Sequence, residues 1–526
     1  MPINVLTIKH FNMQEKEDLL SLIKSLSKSE KRYFKLFVNK NSIGENSHAI
    51  KLFDLIDKVN TIEKKVIQEL YEDDDFMENQ FYVYKYRLYK QILKSLSAYY
   101  AEESADDKIM ELIKYTKILF KKNLYSDAAK ILNKAKSIAQ KYERFPLLLE
   151  IIRWQKKIIY SLTIYEKTDD TDIQMIADEE KSVINKIDST NEHFRLNASM
   201  YLAYRLNDGA RTQAEINKLN ILINSPLLKD EKKAFNFQEK IFFNHTYCNY
   251  YLAINKPKEA YFYAKNMVSI IESYPHLEEA NLSLYYTSLH NLLVINQNIK
   301  RYEEFFNTIP KLKTLLNQYE FPLSNLISSY NLELSFYLKI GEFTKAQLLL
   351  PEFEAIIKNK DTNEMQKLFF LLSKSILYFG IGEYTKALDN LNQILNNEKS
   401  YLSQGHYCFA KILQLIIHFE KDNLDLLPYL IKSVYRYLLQ KNKLYKIENS
   451  FIQFIKTRIK YIKNSKHQTE AFKILIEELT RICKDPLEAA FLKHFDIISW
   501  LESKIENRPF GEIIREKSGY LLEEDG

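Results

Sequence analysis

Apolar residues recur at helical spacing along most of the chain. Between residues 81 and 100, Tyr84, Leu88, Ile92 and Leu96 fall one turn apart and mark a single stripe. From about residue 105 such stripes come in pairs, each pair split by a short polar break. The pattern predicts helices over 107–122 and 125–141, then over 145–165 and 172–187. Ser189-Thr190-Asn191-Glu192 reads as a cap that opens a further helix. Pairs continue to residue 480 and number about nine. A last helix is expected over 486–506, with Pro486 at its first position.

Two near-copies of one heptapeptide punctuate this pattern. Residues 340–346 read Ile-Gly-Glu-Phe-Thr-Lys-Ala, and residues 381–387 read Ile-Gly-Glu-Tyr-Thr-Lys-Ala, 41 residues apart. Glycine adopts a positive φ without steric penalty, so Gly341 and Gly382 suit tight turns ending a first helix. Phe343 and Tyr384 then begin the second helix, placed to fold back onto the first. Ala346 and Ala387 are small where two helices approach closely. Leu350 and Leu391 follow one turn later on the same face. Ala128, Ala214, Ala260, Phe305, Leu427 and Ala471 take the Ala position in the other pairs.

The Gly-x-aromatic-x-x-Ala-x3-large spacing resembles the second half of a tetratricopeptide repeat, with Tyr337, Tyr378 and Ser375 matching its first half. The 41-residue spacing, against the usual ~34, is explained by helices about a turn longer or by a divergent repeat class. The fold class expected is all-α: a helical-hairpin repeat solenoid over 106–506. An N-terminal helical domain (1–105) precedes it and a polar tail (507–526) follows. The terminal helix would cover the last apolar face of the stack.

The N-terminal region lacks the repeat. Helices are expected over 14–26, 47–59, 62–71 and 81–100. Ser27-Lys28-Ser29-Glu30 forms a capping box for another through Val38. Residues 27–37 read Ser-Lys-Ser-Glu-Lys-Arg-Tyr-Phe-Lys-Leu-Phe. This start resembles an uncharacterised family of bacterial proteins, which implies no known activity.

Composition narrows the function classes. Glycine is 9 of 526 residues, well below the usual ~7 %, which disfavours folds rich in tight glycine turns. The net charge of +6 is too small over this length to point to nucleic acid or membrane. Cys248, Cys408 and Cys483 are odd in number and far apart, without disulfide or zinc spacing, so a reducing compartment is expected. No leader pattern and no run of about 18 apolar residues is present, so a soluble, cytoplasmic chain without membrane contact is expected. Phosphate-loop, dinucleotide and zinc-protease fingerprints are missing. Gly380 and Gly382 follow a helix rather than a strand. His406 and Cys408 point to different helix faces. Cys248 sits at a small packing position, and the acidic run 73–75 lacks the spacing of a calcium loop. No enzyme activity, metal or cofactor is expected.

The resemblance implies that first helices line an inner, peptide-binding surface. The positions matching the family's carboxylate clamp are Ile113 and Lys117, His245 and Asn249, Asn331 and Ser335, and Leu372 and Ile376, which reproduce only fragments of it. The candidate groove residues are therefore Lys117, Lys121, His245, Asn249, Asn331 and Ser335, and the expected role is a non-enzymatic scaffold for a protein or peptide. The alternative is a nucleic-acid-binding regulator using Lys31, Arg32, Lys35, Lys85, Arg87 and Lys90, with tyrosines interleaved; nucleic acid is the less favoured partner.

Overall fold

The structure, a computed structural model, describes residues 18–41, 46–59, 81–100, 104–162, 170–207, 209–278, 281–359, 361–397, 404–458 and 465–519. The expected leader, the helix over 62–71 and the acidic run at 72–75 lie outside them. Regular structure among the described residues is helical throughout, and consecutive helices pack on one another as an all-α helical-repeat solenoid. The chain divides into two compact units, Met1–Ile184 and Asn185–Gly526. The division falls at 184/185, inside a helix, rather than at the expected 105/106.

The first unit opens with α1 (Asp18–Ser25), α2 (Lys28–Asn41), α3 (Asn46–Lys58) and α4 (Phe81–Tyr99). The expected capping box is present. Glu30 N–H donates to Ser27 Oγ at 3.2 Å, and Ser27 N–H donates to Glu30 Oε2 at 2.6 Å. The α4 stripe supplies buried Leu88 and Ile92 to a core with Ile23, Phe34, Leu52, Phe53 and Ile56, and Tyr84 and Leu96 pack against it. Then come α5 (Ala105–Lys121), α6 (Tyr125–Lys141), α7 (Phe145–Leu162) and α8 (Asp170–Asn207), which runs through the unit boundary.

The cap expected at 189–192 does not exist, because α8 is continuous there. Thr190 is occupied by lateral bonds. Its Oγ1 accepts from Asn236 Nδ2 at 2.9 Å and lies 3.1 Å from Glu239 Oε1. Of the side chains that the cap would use, Glu192 instead pairs with Arg195 inside α8, while Thr190 ties α8 to the next helix pair.

The second unit continues with α9 (Gln213–Ile223), α10 (Phe237–Ala253), α11 (Pro257–Ser273), α12 (Leu282–Asn298), α13 (Tyr302–Gln318), α14 (Leu323–Lys339) and α15 (Phe343–Ile357). It goes on through α16 (Glu364–Gly380), α17 (Tyr384–Leu395), α18 (Gln404–Glu420), α19 (Leu427–Gln440), α20 (Lys446–Arg458) and α21 (Ser465–Ile482). Most of the Ala positions are buried: Ala128, Ala260, Ala346, Ala387 and Leu427 are 0 % exposed, Phe305 is 1 % and Ala471 6 %. Ala214 is a correction: it is exposed, in the first turn of α9, and does not fill the expected packing position.

One turn geometry recurs. Asn255, Lys300, Gly341 and Gly382 all have φ between +56° and +82°. The next N–H bonds the carbonyl five residues earlier: Lys256 to Tyr251 at 2.7 Å, Arg301 to Asn296 at 2.9 Å, Glu342 to Tyr337 at 2.9 Å, Glu383 to Tyr378 at 2.8 Å. This satisfies carbonyls that the helix end leaves open. The following helix starts one residue later.

The C-terminus departs most from expectation. In place of one helix over 486–506 there is a short turn Pro486–Ala489, a 3₁₀ turn Ala490–Lys493, and α22 (Ile497–Glu506). Asp496 breaks the helix by capping α22: Ser499 N–H donates to its Oδ1 at 2.9 Å. The expected polar tail includes α23 (Phe510–Ser518), which buries Phe510, Ile513 and Ile514.

This C-terminal segment runs back along the turns of its own unit. Asn255 Nδ2 donates to Pro486 O at 2.5 Å, and Lys300 Nζ to Lys517 O at 2.8 Å. Arg515 pairs with Glu342 at 2.9 Å, and Trp500 Nε1 donates to Glu420 at 2.5 Å. Arg211, just before α9, reaches Glu448 of α20 at 3.2 Å and Glu488 at 3.6 Å. The first and last pairs of the second unit are thereby joined.

Candidate functional site

A cavity of about 380 Å³ opens where the C-terminal segment crosses the repeated turns. Helices α12, α14 and α16 bring Gln297, Asn298, Ser335, Lys339, Ser373 and Ile376 to its wall. The returning segment brings Lys493, His494, Phe495 and Asp496. Helices α12, α14 and α16 each contribute two of these residues from their C-terminal halves.

The wall has a basic side. Lys339 Nζ donates to Asn298 Oδ1 at 2.6 Å. Among the described residues no carboxylate pairs with Lys339. Burial pushes its pKa down to about 8, and the nearby charge of Lys493 adds to the shift. Asp496 also lines the cavity, but its two oxygens accept from Ser499 N–H and, at 2.5 Å, from Ser499 Oγ. Its charge is thus spent on the N-terminus of α22.

The candidate groove residues fall in both units. His245, Asn249, Asn331 and Ser335 lie on first helices of the second unit, and Ser335 lines the cavity. Asn249 is only 3 % exposed, and its Nδ2 makes no hydrogen bond; neither does Asn331 Oδ1. His245 lies against Tyr201 in a tilted arrangement, with ring centroids 6.1 Å apart. Burial pushes its pKa down to about 4, so the ring is neutral at pH 7. His290, the matching residue of α12, is also held at about 4. Burial is the main cause, and the Arg205 charge reinforces it against a hydrogen bond with the Ser328 backbone. Sequence reasoning left out His290, Lys339 and Lys493. His290 could have been found from the helix register; the two lysines could not, since 154 positions of sequence separate them.

Lys117 and Lys121 belong to the first unit. Lys117 is 3.5 Å from Glu150 and lies over the Trp154 ring, whereas Lys121 is exposed. The alternative, nucleic-acid set is only partly available to a ligand. Lys31 pairs with Asp57 at 2.7 Å and Lys35 with Asp54 at 2.6 Å. Arg32 is exposed. Arg87 and Lys90 are exposed and lie over the Tyr84 and Tyr86 rings. Lys85 is buried, 7 % exposed, because it shares the α4 face of Leu88 and Ile92.

Burial raises the pKa of all three cysteines. Burial pushes the Cys248 thiol up to about 12 and the Cys408 thiol to about 11. Among the described residues no group of His, Cys, Asp or Glu could hold a metal ion, and no helix is long and apolar enough to cross a membrane. No family model matches the chain, and no curated protein matches it significantly.

Proposed function

We propose that the chain is a non-enzymatic, tetratricopeptide-like scaffold that binds an extended peptide segment of a protein partner on the first-helix face of its second unit. One observation carries this reading. That face presents an uncharged, hydrogen-bonding row: two imidazoles held neutral, at His245 and His290, with the carboxamide of Asn331 and the hydroxyl of Ser335, backed by Asn249. Neutral donors and acceptors at repeat spacing match a peptide backbone, which carries one of each per residue. An extended peptide loses conformational entropy on binding, so micromolar affinity is expected.

The test is a pull-down from the source cell, with the captured partner then titrated against wild type and against Asn249→Ala with Asn331→Ala. The double variant should bind about tenfold more weakly, equal to about 1.4 kcal/mol. Equal binding by a correctly folded double variant refutes the assignment. Lys117→Glu with Lys121→Glu, tested the same way, asks whether the first unit contributes.

A further inference from the structure

The cavity crossed by the C-terminal segment has a chemistry that the peptide-binding row lacks. Lys339 and Lys493 stand at one wall, close enough for the charge of one to act on the other. Burying a cation costs stability unless an anion joins it. Inside the protein that anion is missing from Lys339, whose bond goes to the neutral Asn298 amide. The acid that shares the wall, Asp496, is committed to capping α22. The wall also carries Tyr302, Phe495 and Phe510, with Ile376 and Leu492. One side is therefore cationic with amide and hydroxyl donors, and the rest is apolar and aromatic. The volume, about 380 Å³, lies in the range of ~300–1,000 Å³ usual for small-molecule sites.

We propose that this cavity binds a small amphipathic anion, a carboxylate or phosphate head on an apolar body, with Lys339 and Lys493 holding the head and Phe495 and Phe510 the body. Asn298 and Ser335 supply the neutral donors that fix the head's orientation. Part of the wall belongs to the segment 486–518, so a bound anion also ties that segment to the repeats. This gives the chain a small-molecule site in addition to any peptide partner.

The experiment titrates the full chain by calorimetry, at constant ionic strength, with phenyl phosphate, phenylacetate, inorganic phosphate and uncharged benzyl alcohol. At least one phenyl anion should bind, and more tightly than inorganic phosphate; the stronger of the two identifies the preferred head. Benzyl alcohol should not bind. Lys339→Met and Lys493→Met should each weaken the better anion about tenfold or more, and Lys358→Met, on the exposed surface, should not. Should a cavity variant fail to fold, wild type answers alone: phenyl phosphate should shield Lys339, but not Lys358, from acylation read by peptide mass spectrometry. Failure of both phenyl anions to bind, binding indifferent to both lysine changes, or equal binding of benzyl alcohol overturns the proposal.

Discussion

Gly341 and Gly382 occupy matching places in two copies of one heptapeptide, yet they do different work. Both need a positive φ, at +78° and +82°. A Cβ on Gly382 would meet nothing within 4 Å, whereas one on Gly341 would lie 2.4 Å from Gly511 O and 2.9 Å from Arg515 N. Gly382→Ala should therefore cost only the backbone term, on the order of 1–2 kcal/mol. Gly341→Ala should cost more, because α23 must shift as well; chemical denaturation of the two variants checks the order. The sequence marks both glycines but conceals the second role of Gly341, since Gly511 lies 170 positions away. It also conceals the turns at Asn255 and Lys300, where a non-glycine residue takes the same backbone geometry at modest cost. Two further residues set a pH response. His245 and His290 have folded pKa values near 4, below the unfolded ~6.5, so the unfolded chain binds more protons between those values. Stability should be level above pH 6.5 and fall as pH drops toward 4. Replacing both by Gln should flatten that slope in denaturation curves.

Among the elements, the long, strongly periodic ones were legible and the short or locally ambiguous ones were not. The helix pairs from α10 to α17 follow from apolar spacing and from the buried Ala at the crossing. Ala387 is 0 % exposed, so Ala387→Phe should overpack α17 against its neighbours and cost about 1–3 kcal/mol, visible as a lower melting temperature. The continuity of α8 was not legible, because Ser-Thr-Asn-Glu is a cap by local chemistry, whereas in the helix Glu192 pairs with Arg195 and Thr190 bonds Lys186 O and Asn236. The real cap nearby is Asn236, whose Oδ1 accepts from Glu239 N–H at 2.8 Å while its Nδ2 donates to Thr190. Asn236→Ala should cost about 1–2 kcal/mol by removing that cap. Helix α23 is nine residues long and carries four charged residues. Its apolar signal, Phe510 with Ile513 and Ile514, is one helical turn, too short to stand apart from a tail. Of the candidate site, His245, Asn249, Asn331 and Ser335 were marked from register, and His290, which shares that register, was missed. The basic wall was not legible, because it forms only once the C-terminal segment has folded back.

At the scale of the molecule, the central structural claim concerns the second unit. A stack of helix pairs gains stability from nearest neighbours and leaves its ends exposed. Here the C-terminal segment supplies contacts that skip neighbours, running from Asn255 through Lys300 and Glu342 to Glu420, and Arg211 joins the first pair to the last. Phe510 is the hinge of that docking, with its ring centroid 6.1 Å from Phe343, 5.8 Å from Phe379 and 5.4 Å from Phe495. The most direct measurement is hydrogen exchange by mass spectrometry on wild type and on Phe510→Ala. The variant should lose protection together at α23 and at the distant turns around Lys300, Gly341 and Gly382, while the helices of the first unit keep their wild-type rates. Faster exchange confined to residues near 510, with those turns unchanged, would contradict the account.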